Sequence, residues 1–329
     1  MAKPRKLEEL LALLTQVRTE PTSEGAIAIL QQVLKSKYSL AVARAAKIVG
    51  DAELYQLMPN LVDAFERFMI NPEETDQGCL AKKEIAETLY RLEYSEDGIF
   101  LQGIHHVQME PVWGGQEDTA AGLRGTCALG LVRANYPDVM VELADLLADP
   151  KPEARIAAAR AIAYSESAQG VPLLRLRVRV GDEAQVLSEC LMALLQLAPT
   201  QSIPLVKELL GAHEASFHLV KDTQTAEVAA LALGESRLPD AFDILKDWWN
   251  RVIDQELRQT GLMAIAMIRH DQALEFLLSL IAEGNNRDAK GAIQALSIYR
   301  EDNTLWQRVH QTTEQRGDVG LLQMVERGG

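Results

Sequence analysis

Apolar positions along this chain recur with the period of an α-helix. Leu57, Leu61, Phe65 and Phe68 share one helical stripe, as do Val139, Leu143, Leu146 and Leu147. Leu245, Trp248, Trp249 and Val252 form another, and Leu274, Leu277, Leu278 and Ile281 a fourth. Such spacing puts the apolar side chains on one face and leaves the opposite face polar. Turn residues separate the stripes: Asn71-Pro72, Asp149-Pro150, Pro199, Gly211 and Glu283-Gly284-Asn285. Asp182 with Gln185 three residues on reads as a capping box. The clear period-two run is Leu174 to Val180, with Arg175, Arg177 and Arg179 between the apolar residues. A strand would align all three arginines, but the repeat register requires a helix. On a helix Arg175 and Arg179 share a face, either a solvated one or an anchor for an acidic partner.

A second set of helices carries a repeated signature: small, two residues, small, aliphatic, small. It reads Ala45-x-x-Ile48-Val49-Gly50 (with a bulkier second member), Gly125-x-x-Ala128-Leu129-Gly130 and Ala158-x-x-Ala161-Ile162-Ala163. It returns at Ala229–Gly234, Gly261–Ala266 and Ala292–Ser297, with weaker copies around Leu89 and Met192. The aliphatic position thus falls at 49, 89, 129, 162, 192, 233, 265 and 296. Intervals of 30 to 41 residues suit one helix pair per repeat. Small residues let neighbouring helices approach closely, and the aliphatic residue fills the core between them.

The segment Asp149-Pro-Lys-Pro-Glu-Ala-Arg155-Ile-Ala-Ala-Ala-Arg-Ala-Ile162-Ala163 resembles the HEAT-repeat consensus. Glu256-Leu-Arg258-Gln-Thr-Gly-Leu-Met-Ala-Ile265-Ala266 is similar to it in the same way. Both look most like the short bacterial form first associated with phycobilisome lyases. The resemblance covers roughly residues 22 to 300. It implies an all-α fold, a right-handed α-solenoid of about eight HEAT-like helix pairs. The whole of 1–329 is then one solenoid, with 1–21 as N-terminal cap, 22–300 as repeats and 301–329 as C-terminal cap. In HEAT arrays the second helix of each pair usually lines the concave face. Here those helices are predicted at 39–50, 79–91, 119–133, 153–164, 183–197, 225–236, 255–270 and 287–300. They hold 14 Lys and Arg against 9 Asp and Glu, while the remainder holds 19 against 38. Arg44, Arg124, Arg155 and Arg258 belong to that lane. They either form inter-repeat ladders with acidic turns or make a weakly basic groove for an acidic partner segment.

Composition narrows the function classes. The net charge of −14 opposes general binding to a phosphate backbone, which argues against a nucleic-acid partner. It also disfavours a HEAT-like DNA glycosylase. Cys79, Cys127 and Cys190 lie far apart with no CxxC spacing, which reads as buried reduced thiols. The N-terminus lacks a signal-peptide pattern, and the uncharged stretches are broken by turn residues. A soluble cytoplasmic protein with no membrane partner is therefore expected.

Two stretches lengthen their repeats, and insertions in solenoids fall on loops, often on the binding face. The first runs from Gly103 through His105, His106, Glu110, Trp113-Gly114-Gly115, Glu117 and Asp118, between the two helices of the third repeat. Gly114-Gly115 permits close approach, and Trp113 suits an interface anchor, unless the loop folds back and Trp113 seals the core. His106 and Glu110 stand four apart, as a helical metal pair would. Adjacent His105 and His106 diverge on a helix, however, and no second ligand pair is fixed, so neither metal nor cofactor is assigned. The second stretch, in the sixth repeat, carries His213, Glu214, Phe217 and His218. At ~8–10 Å per helix layer the two loops sit about 30 Å apart, a spacing for one extended partner and not one compact active site. A HEAT-type di-iron hydroxylase would need several His-Glu dyads, and only His213-Glu214 is present. Trp248, Trp249 and Trp306 are read as core and end-cap packing.

Taken together these features point to a non-enzymatic protein-binding scaffold or adaptor. Its expected contacts are His105, His106, Glu110, Trp113, Glu117, Arg124, Arg155, His213, Phe217 and Arg258. The subtype resemblance leaves an alternative, a bilin lyase-type enzyme or accessory subunit whose Arg or His would hold tetrapyrrole propionates.

Overall fold

The computed structural model describes residues 3–211 and 223–328, and it is helical nearly throughout. The chain divides into two compact units, Met1–Gly170 and Val171–Gly329. Both are α-solenoid stretches built from antiparallel helix pairs.

Unit 1 begins with α1 (Lys3–Val17) and continues with α2 (Glu24–Leu34), α3 (Ser39–Asp51) and α4 (Met58–Phe68). The short α5 (Pro72–Thr75) leads to α6 (Leu80–Arg91) and α7 (Gly98–Ile104). A two-stranded hairpin follows, β1 (Met109–Val112) and β2 (Gly115–Asp118), then α8 (Ala121–Arg133), α9 (Val139–Leu146) and α10 (Pro152–Tyr164). The second helices stack in sequence, α3 on α6, α6 on α8 and α8 on α10.

Unit 2 runs through α11 (Gly170–Val180), α12 (Ala184–Leu197), α13 (Pro199–Leu209) and α14 (Thr223–Ser236). It continues with α15 (Ala241–Arg251), α16 (Gln255–Ile268), α17 (Asp271–Glu283) and α18 (Asn286–Leu296), and ends on α19 (Asn303–Arg316) and α20 (Val319–Arg327). Here α12, α14, α16 and α18 stack in the same manner. The alternating run 174–180 is helical, as the register required.

The small residues of the signature do what the pattern demands. A Cβ on Gly234 would stand 2.2 Å from the Ala264 carbonyl oxygen, so α14 and α16 touch backbone to backbone there. A Cβ on Gly125 would meet the Ala157 Cβ at 2.6 Å, and one on Gly130 the Phe100 ring at 2.4 Å. Leu61, Phe65, Phe68, Leu143, Leu245, Trp248, Trp249, Leu277 and Ile281 are all buried.

Three local expectations are corrected. The buried aliphatic positions of α8 and α12 are Leu131 and Leu194, whereas Leu129 and Met192 are only half-buried. Gly125 and Gly130 mimic the small positions and displaced the reading by two residues. Asp182 is not the N-cap of a box: α12 starts at Ala184 with Glu183 at the cap position, and the Asp182 carboxylate pairs with Arg177 Nε at 2.8 Å. Residues 109–112, including Glu110, are strand and not helix, because Pro111 and the glycine pair favour a hairpin.

Candidate partner-binding site

The hairpin pairs Met109 with Asp118, Glu110 with Glu117, Pro111 with Gln116 and Val112 with Gly115. Trp113 and Gly114 form its two-residue loop. Gly114 has φ +96°, a backbone angle that glycine adopts without a Cβ clash. Trp113 has a relative exposure of 104%, and Val112 beside it is also exposed. The possibility that Trp113 folds back onto the core is therefore excluded. A fully solvated indole on a tight turn is unusual, since burying such a side chain is worth roughly 2–3 kcal/mol.

The base of the hairpin is as constrained as its tip is bare. Gln108 is 1% exposed. Its Nε2 donates to Asp76 O at 2.8 Å and to Glu110 Oε1, and its backbone N–H donates to Asp118 Oδ1 at 3.1 Å. With its amide nitrogen so committed, Gln108 Oε1 faces His106 Nε2 at 3.1 Å, and that ring nitrogen carries the proton. Glu110 Oε1 also accepts from Gly78 N at 2.7 Å and from Thr119 Oγ1 at 3.2 Å. Asp118 accepts from Ala120 N and pairs with Arg124 Nη2 at 2.7 Å.

These contacts set the charge states. Burial pushes both carboxyls up. For Glu110, the Gln108, Gly78 and Thr119 hydrogen bonds outweigh it, and for Asp118 those of Arg124, Ala120 and Gln108 do. Both are held below the usual carboxylate range. Burial pushes the His106 imidazole below its ordinary value, and the hydrogen bond to Gln108 only partly offsets that. Glu117, opposite Glu110 in the hairpin, lies 3.5 Å from Lys151 Nζ. His105 points elsewhere: its Nε2 lies 2.9 Å from Glu142 Oε2, at a cleft of about 250 Å³ that Val107, Asp145 and Pro150 also line. His105 and His106 thus diverge. Among the described residues no group of three or more His, Cys, Asp or Glu is placed to hold a metal.

Arg124, Arg155 and Arg258 occupy equivalent places, each seven residues before a buried aliphatic, Leu131, Ile162 or Ile265. Lys82 stands in the same relation to Leu89. Each reaches back to carbonyls that follow or end the preceding helix of its own pair. Lys82 Nζ donates to Phe68 O, Arg124 Nη1 to His106 O, Arg155 Nη1 to Asp149 O, and Arg258 Nη1 to Trp249 O and Val252 O. Such cations satisfy carbonyls that a helix end leaves orphaned. Two also reach the next repeat: Arg124 grips both oxygens of Asp149, and Arg258 donates to Asp288. At 2% and 9% exposure, Arg124 and Arg155 present little to a partner. The ladder alternative accounts for Arg124 and Arg258, while Arg155 donates to the carbonyls of Asp149 and Pro150 in its own repeat. The signal in the sequence was their shared spacing from the buried aliphatic.

The exposed side of the second helices carries a different set. Arg133 stacks on Tyr90 with 4.1 Å from its Cζ to the ring centroid, and its Nη2 lies 3.4 Å from the Tyr164 hydroxyl. Hydrogen bonds from Arg133 and Tyr90 pull the Tyr164 hydroxyl below its ordinary pKa. His213, Glu214, Phe217 and His218 lie outside the described residues. Cys79, Cys127 and Cys190 are buried and form no disulfide with one another, and burial pushes the Cys79 thiol up to about 12. No described helix is long and apolar enough to cross a membrane.

Residues 218–297 match the family of HEAT repeats. That span includes α14 to α18 up to Ser297, and it supports reading the chain as a HEAT-repeat protein. No curated protein matches. Among solved structures, human deoxyhypusine hydroxylase in complex with glycerol is 18% identical, over 82% of this chain and 92% of that one, with a TM-score of 0.31. An engineered protein is 16% identical over 98% and 94%, with a TM-score of 0.36. Neither likeness is close enough to bear on function.

Proposed function

We propose that this chain is a non-enzymatic protein-binding scaffold whose partner is anchored by the Trp113 hairpin. The observation that supports this reading is the contrast within one hairpin. Its base is fixed by buried Gln108 and by Glu110 and Asp118, while its tip offers a bare indole. A rigid element gives up little entropy when it binds, so the burial of Trp113 goes into affinity. Within unit 1, the exposed side of α3, α6, α8 and α10 supplies further surface for the rest of the partner.

The reading is tested by affinity capture from native lysate, followed by binding measurements with the purified partner. Trp113→Ala should weaken binding by about 2 kcal/mol, about thirty-fold in Kd, with unchanged circular dichroism. A partner that binds the Trp113→Ala chain and a chain lacking 109–118 as tightly as the unaltered protein would remove the hairpin from the site.

A further inference from the structure

The basic character of the second helices is confined to unit 1. Its α3, α6, α8 and α10 carry 9 Lys and Arg against 4 Asp and Glu, whereas α12, α14, α16 and α18 carry 3 against 5. Most of the nine are engaged. Lys82, Arg124 and Arg155 hold helix ends, Arg91 Nη1 donates to Asp51 Oδ1 at 2.9 Å, and Arg133 lies between two tyrosines. Arg160 is engaged as well. Arg44, Lys47 and Lys83 are exposed and have no hydrogen bond or ion pair to any described residue.

Arg44 and Lys47 are one turn apart on α3, and with Arg18 at the end of α1 they line a cleft of about 430 Å³. Its walls include Leu11, Leu14 and Ile48. The acidic residue lining it, Asp51, is already paired to Arg91. An apolar floor thus meets three cations whose side chains make no hydrogen bond or ion pair to a described residue, with Glu84 of α6 in electrostatic range of Lys47, in a protein of net charge −14.

We infer that the α1–α3 cleft binds an acidic amphipathic peptide segment of the partner, its apolar side chains on Leu11 and Ile48 and its carboxylates on Arg18, Arg44 and Lys47. The inference rests on the scaffold reading and adds a second contact at a different place. Charge complementarity selects an anionic occupant. The aliphatic floor selects a peptide over a nucleic acid, which would call for aromatic stacking surfaces and would be repelled by the rest of the molecule.

The test uses the full chain and a fluorescein-labelled peptide of repeating Leu-Glu-Glu-Leu units, read by anisotropy. Its counterparts are the same peptide with Gln for Glu, and a labelled oligothymidine. The expected result is saturable binding of the Glu peptide, weakened at least about tenfold by the Gln exchange and by Arg44→Glu/Lys47→Glu, with Trp113→Ala unchanged. Both α3 side chains are exposed, so the charge-reversed protein should keep its circular dichroism. Absence of Glu-peptide binding, equal binding by the charge-reversed protein, or stronger binding of oligothymidine would each overturn the inference. None of those results touches the hairpin, whose failure would show only in the Trp113→Ala measurement with the captured partner.

Discussion

Lys82 and Asp76 show what a single buried pair does for this architecture. Both side chains have zero exposure, with Nζ and Oδ2 3.0 Å apart. Asp76 also accepts from Ala81 N and Lys82 N, so it caps α6 while Lys82 ties back to the end of α4. Lys82→Met would leave the carboxylate with its amides but without its counter-ion. The expected loss is about 3 kcal/mol, seen as a lower urea midpoint, and an unshifted midpoint would contradict it. His106 gives a second prediction at this scale. Its folded pKa is lowered, so the unfolded chain takes up the proton more readily. Its contribution is whole above about pH 6.5 and shrinks as the pH falls below that value. Glu110 and Asp118, held low, contribute above about pH 4 and lose that contribution on further acidification. All three act in one direction. Between pH 7.5 and 5.5 the unaltered protein should therefore lose more in melting temperature than His106→Asn, and parallel slopes would exclude this role. The framework cations were half legible in the sequence. Their spacing from the buried aliphatic could be read from the chain, but whether a guanidinium turns inward to a helix end or outward to a partner depends on where the preceding helix stops.

At the scale of elements, the second helices were readable because close packing constrains residue size. Gly234 faces the Ala264 carbonyl so closely that no larger residue fits without a backbone shift. Gly234→Ala should cost unit 2 about 1–3 kcal/mol even though alanine is the better helix former. The check is denaturant unfolding, and a stabilised variant would show that α14 and α16 stand farther apart. The hairpin was not readable as strand. Its four-residue arms are too short to show alternation, and its base is held by Asp76 and Gly78, each 32 residues before its partner, together with Arg124 of α8. Its turn is local, however. Gly114→Val at φ +96° should distort the loop and weaken partner binding as Trp113→Ala does, while leaving the urea midpoint nearly unchanged. Competitive binding beside the Trp113→Ala chain measures this, and full affinity in Gly114→Val would mean that the indole acts without a fixed presentation.

For the whole molecule, the decisive quantity is a charge of −14 carried alongside a few unpaired cations. The sequence total hides their location, since the predicted inner lane summed a basic unit 1 with a slightly acidic unit 2. Salt separates the two electrostatic effects. Self-repulsion among exposed carboxylates is long-ranged and is screened once the Debye length falls below about 10 Å. The buried pairs Lys82–Asp76, Arg124–Asp118 and Arg124–Asp149 are screened little, and the exposed Arg91–Asp51 and Arg308–Glu275 pairs are worth little to begin with. Raising NaCl from about 0.02 to 0.5 M should therefore raise the melting temperature by a few degrees. The same titration should weaken the Leu-Glu-Glu-Leu peptide, because its attraction to Arg18, Arg44 and Lys47 is exposed and is screened in turn. Opposite movement of the two observables in one titration is the expected signature. If peptide affinity instead rose with salt alongside stability, its binding would be hydrophobic, and the cations at the α1–α3 cleft would have no part in it.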